Sequence, residues 1–311
     1  MEKHSKIYVA GHRGLVGSAI VRVLRSQGYN NILTATHSEC DLTRTSEVDE
    51  LFWHERPEYV FLAAAKVGGV LSNAGHEVDF LLQNMQMQNN VISAAHGFGV
   101  KKLLFLGSAC IYPRLAPEPV LEDSLLTGPL EPSNQWYALA KITGLRLCQA
   151  HRRQFGSNFI SLMPCNLFGP GDFYNLTSCH VLPALIRRFH EAKMWGNEYV
   201  TVWGSGKPMR EFLYSDDLAW ACLLAMEKYN GEEPLNVAPG NDVSIKELAH
   251  IIQSVVDFEG YIKWDTSKPD GTPRRRLETT GIRALGWTPK YSLAEGLRKT
   301  YLDFKKGNYR E

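Results

Sequence analysis

Gly11-His12-Arg13-Gly14-Leu15-Val16-Gly17 follows the apolar run Ile7-Tyr8-Val9-Ala10 and opens the amphipathic stretch Leu15 to Ser26. Three glycines at this spacing mean little alone, but between a strand and a helix each has a task. The first permits a tight turn, the second lets a pyrophosphate approach the backbone, and the third lets helix and strand pack closely. A pyrophosphate held there would meet the positive end of the helix dipole. The segment therefore predicts the first strand, turn and helix of a dinucleotide-binding sheet.

Outward from this turn, short and almost wholly apolar runs recur: Tyr59-Val60-Phe61-Leu62-Ala63, Leu103-Leu104-Phe105-Leu106 and Phe159-Ile160-Ser161-Leu162. Such runs suit parallel strands covered on both faces. Amphipathic stretches between them, such as Asp79 to His96, read as crossover helices. After about Pro164 the pattern loosens into Asn, Gly, Pro and aromatic residues, and the helical stretch Ile245 to Val256 stands alone. The expected fold class is α/β, a doubly wound parallel (Rossmann) sheet with a smaller C-terminal α/β substrate-binding domain. Residues 1–165 plus roughly 211–240 are expected to form the nucleotide domain, and roughly 166–210 plus 241–311 the substrate domain.

The chain of 311 residues is long enough for two such lobes. Its 34 lysines and arginines nearly cancel 33 aspartates and glutamates, so no overall field draws it to nucleic acid or anionic lipid. No apolar run is long enough to cross a bilayer, and Met1-Glu2-Lys3-His4-Ser5 leads straight into the first strand. A soluble, cytoplasmic protein with no membrane or nucleic-acid partner is expected. The six cysteines are scattered without a Cys-x-x-Cys pair, which predicts reduced thiols and no metal. Asn175-Leu176-Thr177 matches the glycosylation pattern by chance in an unexported chain.

An acid at the end of the second strand would bind the ribose hydroxyls of NAD and repel a 2'-phosphate. Ile32-Leu33-Thr34-Ala35-Thr36-His37-Ser38 contains none. Arg13, inside the glycine loop, carries a guanidinium suited to a phosphate, so NADP(H) is the predicted cofactor. Asp41 could meet the adenine or be an ordinary loop acid.

Trp136-Tyr137-Ala138-Leu139-Ala140-Lys141-Ile142 lies in a helical run. Positions four apart share a face, so the Lys141 ammonium stands near the Tyr137 phenol. A cation there favours phenolate and draws the tyrosine down from its reference pKa of about 10, toward acid–base work. Gly107-Ser108-Ala109-Cys110 follows an apolar strand, at the sheet edge that faces the cofactor crevice. Ser108 can donate a hydrogen bond to the same carbonyl oxygen as Tyr137. With Tyr137 and Lys141, this reads as a centre that moves a proton while a hydride moves to or from carbon.

The glycine loop, the strand-end serine and Tyr-x-x-x-Lys in this order resemble the extended short-chain dehydrogenase/reductases. The likeness narrows through Ala10 to Ile20, Leu62-Ala63-Ala64-Ala65-Lys66-Val67-Gly68-Gly69, Cys110-Ile111-Tyr112-Pro113, His180-Val181-Leu182-Pro183-Ala184-Leu185 and Ser267-Lys268-Pro269-Asp270-Gly271-Thr272-Pro273-Arg274. Over essentially the whole chain it is similar to the GDP-L-fucose synthase family. That resemblance implies 3,5-epimerisation and NADPH-dependent 4-reduction of GDP-4-keto-6-deoxy-D-mannose in one site.

The resemblance assigns proton transfer at C3 and C5 to Cys110 and His180, beside Ser108, Tyr137 and Lys141. Cys110, two residues beyond Ser108, is expected in an extended segment on the same side as that serine, with a thiol that a neighbouring cation ionises near neutral pH. It implies cofactor contacts from Gly11, His12, Arg13, Gly14, Leu15, Val16, Gly17, His37, Asp41 and Leu42. Further contacts follow along the crevice from Leu106, Gly107, Ser108, Ala109, Tyr137, Lys141, Pro164, Cys165, Asn166, Leu167 and His180. Arg188, Trp203, Arg210 and Asp270 match its nucleotide-sugar contacts, the arginines suiting a diphosphate. Its members pair through helices near Gln83 to Asn90, so a homodimer is expected.

The chain departs from the family at Ala109, where members usually carry a second serine, and at His37, where several carry arginine. Between Gly169-Pro170 and His180 the usual Asn-Phe-His-Pro stretch is replaced by Asp172-Phe173-Tyr174-Asn175-Leu176-Thr177-Ser178-Cys179. A 4,6-dehydratase would need an acidic pair where Ala109 and Cys110 stand. A 4-keto reductase without epimerisation needs only Ser108, Tyr137 and Lys141, and an inactive nucleotide-sugar scaffold needs none of them.

Overall fold

The computed structural model describes residues 1–69, 75–268 and 270–310; Pro269, one residue of the family-like stretch, lies outside them. In chain order the elements are β1 (Ile7–Ala10), α1 (Leu15–Ser26), β2 (Ile32–Leu33), α2 (Thr45–Glu55), β3 (Tyr59–Leu62), α3 (Glu77–Gly97), β4 (Lys102–Leu106), α4 (Gln135–Phe155), β5 (Phe159–Pro164) and β6 (Asn166–Phe168). They continue as α5 (Val181–Trp195), β7 (Tyr199–Trp203), β8 (Met209–Arg210), β9 (Phe212–Tyr214), α6 (Ser215–Lys228) and β10 (Leu235–Val237). Last come β11 (Val243–Ser244), α7 (Ile245–Val256), β12 (Tyr261–Asp265), β13 (Arg274–Arg275), α8 (Thr280–Ala284) and α9 (Leu293–Lys305).

A six-stranded sheet runs β10-β5-β4-β3-β1-β2, and its neighbouring strands pair in parallel. The strand order reverses between β1 and β3, which opens a crevice at their C-terminal ends. Alternation along the strands fills both faces. Tyr8, Val60 and Phe105 point into one core with Val91 and Leu145. Ile7, Val9, Phe61 and Leu104 point into the other with Ile20, Leu24 and Cys222. Helix α6 lies against α1, and β10 then joins the edge beside β5.

The loose sequence after Pro164 resolves into short pieces: β6 beside β9, β7 beside β12, and β11-β8-β13. Phe168, Leu185, Phe189, Val200, Leu248, Ile252 and Phe304 build a third core there. Helices α7 and α9 begin in capping boxes, Ser244 with Glu247 and Ser292 with Glu295, each satisfying two otherwise unpaired donors.

Glu211, between β8 and β9, is 0% exposed. Its Oε1 accepts the Gly240 N–H at 3.0 Å and its Oε2 the Leu277 N–H at 2.7 Å. Burial still pushes its carboxyl up to about 7.

Candidate active site

Gly11 takes a left-handed backbone, φ 86°, and a Cβ there would stand 2.7 Å from the Ala64 Cα in the loop after β3. A Cβ on Gly17 would overlap the Gly11 carbonyl. Only glycine allows these two approaches. The Gly14 N–H donates to the Gly11 carbonyl at 2.9 Å, and among the described residues no side chain caps α1 or places an acid in its first turn. The open helix terminus offers its amides to an anion, so the residues present fit the pyrophosphate of a nicotinamide dinucleotide.

Around the crevice, Leu42, Leu106, Gly107 and Ala109 are buried, while His12, Leu15, Val16, Cys165 and Leu167 are half-buried. Pro164 ends β5, the Cys165 N–H donates to the Val237 carbonyl, and the Asn166 side chain donates to the Glu211 carbonyl at 3.0 Å. Arg13 and His37 are exposed on the rim. Asp41 accepts from the Thr43 N–H and hydroxyl, and His37 Nδ1 lies 3.6 Å from its carboxylate. His37, Asp41, Thr43, Asp79, Gln83 and Gln86 help line a cavity of about 360 Å³.

Strand β2 stops at Leu33, and an acid follows just past the stretch that predicts none. Glu39 accepts from the Thr36 N–H at 2.7 Å and hydroxyl at 2.8 Å. These bonds, then the charges of Arg13 and His12, hold its carboxyl below the usual range.

Of the five residues expected at one centre, Ser108 bonds to Cys110, and Cys110, Tyr137 and Lys141 lie near one another, with two differences from the sequence expectation. Residues 109–111 form a 3₁₀ turn rather than an extended segment, because the Ser108 hydroxyl accepts the Cys110 N–H at 3.3 Å and closes the chain on itself. Cys110 is thus brought beside Ser108 by the turn. The second difference is electrostatic. Burial, then the neighbouring Cys110 thiol, pushes the Tyr137 phenol well above its ordinary range.

Lys141 does not reverse that shift, because it points elsewhere. Its Nζ donates to the Leu106 carbonyl at 2.8 Å and stands 5.8 Å from the centre of the Tyr137 ring. Burial brings the lysine down to about 8. Cys110 is likewise pushed up by burial, opposed by its hydrogen bond with Ser108 and by the charges of Arg275 and Lys141. A phenol held neutral is a proton donor, whereas a lysine near 8 can pass a proton on at working pH.

His180 stands at the N-terminal boundary of α5, and burial lowers its pKa. Its surface is exposed even though protein atoms crowd it, as at the wall of a cleft. The Gly69 N–H donates to the Ser178 carbonyl at 2.7 Å, which ties the His180 segment to the loop after β3. Cys179 beside it is pushed up to about 11 by burial and the Asp172 charge. Asn175 turns inward on its own loop, accepting from the Thr177 N–H and hydroxyl.

The altered stretch before His180 is anchored by the far end of the chain. The Arg310 N–H donates to the Asp172 carbonyl and the Tyr174 N–H to the Arg310 carbonyl. Tyr174 is buried against Phe304 and Tyr309. Asp172 is 6% exposed, and its Oδ2 has no hydrogen-bond partner among the described residues. Burial pushes that carboxyl up to about 7.

Of the nucleotide-sugar candidates, Arg188 and Trp203 pair, the guanidinium lying 5.3 Å from the ring centre. Asp270 accepts from the Ser205 N–H at 2.8 Å and hydroxyl at 2.6 Å. Arg210 is half-buried, donates to its neighbour Met209's carbonyl and faces Arg275. Sequence reasoning missed Arg275, which grips the turn carrying Cys110. Its only sequence signal is a run of three arginines, which elsewhere is a solvated surface. Among the described residues no His, Cys, Asp and Glu cluster suits a metal ion, and no helix is long and apolar enough to cross a membrane.

The model of the NAD dependent epimerase/dehydratase family matches residues 7–238. GDP-L-fucose synthase 1 of Arabidopsis thaliana is 55% identical over 300 residues, covering 96% of this chain and 93% of the relative. The NADP-bound crystal structure of a GDP-L-fucose synthetase from Naegleria fowleri superposes with a TM-score of 0.93 at 32% identity, covering 100% of this chain and 96% of that one. A GDP-6-OMe-4-keto-L-xylo-heptose reductase from C. jejuni gives 0.94 at 35%, covering 99% of both. A glycine cradle, a Ser-Tyr-Lys centre and relatives of this likeness along the full chain converge: the chain belongs to the NAD dependent epimerase/dehydratase family, in its GDP-L-fucose synthase branch.

Proposed function

We propose that the chain is a bifunctional 3,5-epimerase and 4-reductase that converts GDP-4-keto-6-deoxy-D-mannose to GDP-L-fucose with NADPH. The observation that carries this reading is Cys110, set by a 3₁₀ turn beside Ser108 and close enough to Tyr137 and Lys141 to share their electrostatics. A reductase alone has no use for a thiol there. Residues 1–165 with roughly 211–240 hold the dinucleotide, and roughly 166–210 with 241–311 hold the sugar nucleotide.

When bound, NADPH supplies the hydride to C4. Cys110, as thiolate, removes the proton at C3 and at C5, both acidic through the neighbouring ketone, and His180 returns a proton to the opposite face. Ser108 and Tyr137 hydrogen-bond the ketone oxygen, which carries charge as enolate and again as alkoxide, so one oxyanion site serves both reactions. Tyr137 gives its proton to the alkoxide, and Lys141 stabilises the charge left on the phenol. Arg188 and Arg210 hold the diphosphate, with Trp203 and Asp270 toward the base.

Arg13 and His37 on the rim support NADPH over NADH. Glu39 Oε2 accepts from the Thr36 N–H and hydroxyl, and the Arg13 charge acts on the same carboxylate. Arg13→Ser is expected to raise the KM for NADPH about tenfold or more while leaving that for NADH; equal effects on both would sink the assignment. Exposed Val78, Leu82 and Leu139 on α3 and α4 support a homodimer in a soluble, cytoplasmic enzyme. Sedimentation would give the mass.

Incubation with GDP-4-keto-6-deoxy-mannose and NADPH tests the reading. Loss of absorbance at 340 nm with GDP-L-fucose as product is expected. An unepimerised product would favour the second reading, a 4-keto reductase, which the structural likeness to a heptose reductase supports. No reaction would leave a nucleotide-sugar scaffold.

A further inference from the structure

Arg275 ends β13, in register with Arg210 on β8. From there its guanidinium crosses to the turn after β4: Nη1 donates to the carbonyls of Ala109 at 2.9 Å and Tyr112 at 3.2 Å, and Nη2 to that of Pro113 at 3.1 Å. From within the chain these oxygens receive only long bonds: the Tyr112 N–H donates to the Ala109 carbonyl at 3.4 Å and the Ala116 N–H to the Pro113 carbonyl at 3.3 Å. One planar fork with donors on two nitrogens answers all three at once, a geometry that a lysine's single ammonium does not reproduce.

We propose that Arg275 is a positioning residue for Cys110: the fork locks the 109–113 turn from outside and sets a fixed positive charge beside the thiol. This rests on the role given to Cys110 above. The groups facing the thiol are Ser108 on its own turn, Lys141 and Tyr137 from α4, and Arg275 from β13. Around Arg275 itself stand Arg210, Glu118, Glu131 and Tyr112. Lys141 answers to the Leu106 carbonyl, whereas Arg275 answers to the turn. Formation of the thiolate therefore depends on a side chain from the last fifth of the chain.

The test is the pH dependence of Cys110 alkylation by iodoacetamide, read on the Cys110 peptide by mass spectrometry without substrate, together with deuterium wash-in at C3 and C5. Arg275→Met is expected to raise the half-maximal pH by about one unit and to slow wash-in ten- to about a hundredfold. Arg275→Lys keeps the charge and is expected to hold the alkylation profile while still slowing wash-in about tenfold. Wild-type profiles and wash-in in both variants would overturn the proposal. If Arg275→Met fails to melt cooperatively, Arg275→Lys decides: slowed wash-in supports the clamp, unchanged wash-in refutes it. If the wild-type protein shows no wash-in, the epimerase reading fails, and the alkylation shift alone tests Arg275.

Discussion

Lys141 donates its ammonium proton to the Leu106 carbonyl, 2.8 Å away at the end of β4. The lysine is thereby fixed to the sheet, and α4 carries Tyr137 over the same strand end. Burial lowers Lys141 to about 8, so its charge is present below that pH and lost above it. The reduction rate is expected to fall above about pH 8, and in Lys141→Arg, which stays charged, that fall is expected at higher pH. Initial rates at 340 nm from pH 6 to 10 measure both; an alkaline limb identical in the variant would remove Lys141 from the titration.

Cys110 and Tyr137 should separate the two reactions. Cys110→Ser is expected to abolish deuterium incorporation at C3 and C5, because a hydroxyl is a far weaker acid than a thiol. Tyr137→Phe is expected to slow reduction by about a hundredfold or more, leaving some exchange through Ser108 and Cys110. Proton NMR in deuterated buffer reads both. Normal exchange in Cys110→Ser would end the epimerase assignment.

Gly17→Ala drives a methyl group into the Gly11 carbonyl, which overpacks the turn at a cost of about 1–3 kcal/mol. Gly97→Ala, with nothing within 4 Å of the added carbon, is expected to stay within about 0.5 kcal/mol of the parent. Urea melts and NADPH fluorescence titration compare them. Equal behaviour of the two variants would mean that α1 does not sit against the loop.

Asp172 should make the protein less stable as pH rises. Its carboxyl moves from an unfolded value near 4 to about 7 when folded, so between these values the native state binds more protons. The contribution is complete below pH 4 and is lost as pH climbs through 7, with a slope of up to about 1.4 kcal/mol per pH unit. Glu211 acts in the same direction. Asp172→Asn is expected to flatten the curve of unfolding free energy between pH 4.5 and 7.5, and parallel curves would contradict it.

Much of the frame was legible because a parallel sheet announces itself. Strands buried on both faces read as unbroken apolar runs, and α1 and α7 lie at Leu15–Ser26 and Ile245–Val256 as their patterns predict. The pieces β6, β8, β9, β11 and β13 were not legible, since two or three residues carry no periodicity. Ser292-x-x-Glu295 does mark the start of α9. In the site, spacing along one helix brought Tyr137 and Lys141 together, yet it gave the wrong direction for the phenol. Charge proximity can be read from spacing, whereas burial depends on the whole fold. Arg275 was invisible for the same reason, its partners lying more than 160 positions away.

Glu211 joins two stretches of backbone, at Gly240 and Leu277, that the chain reaches only after leaving the large sheet. Breaking the C-terminal elements away would strand those two amides and the carboxylate together. Partial unfolding therefore gains little over complete unfolding, and calorimetry should record one heat-absorption peak for the polypeptide, with equal van't Hoff and calorimetric enthalpies.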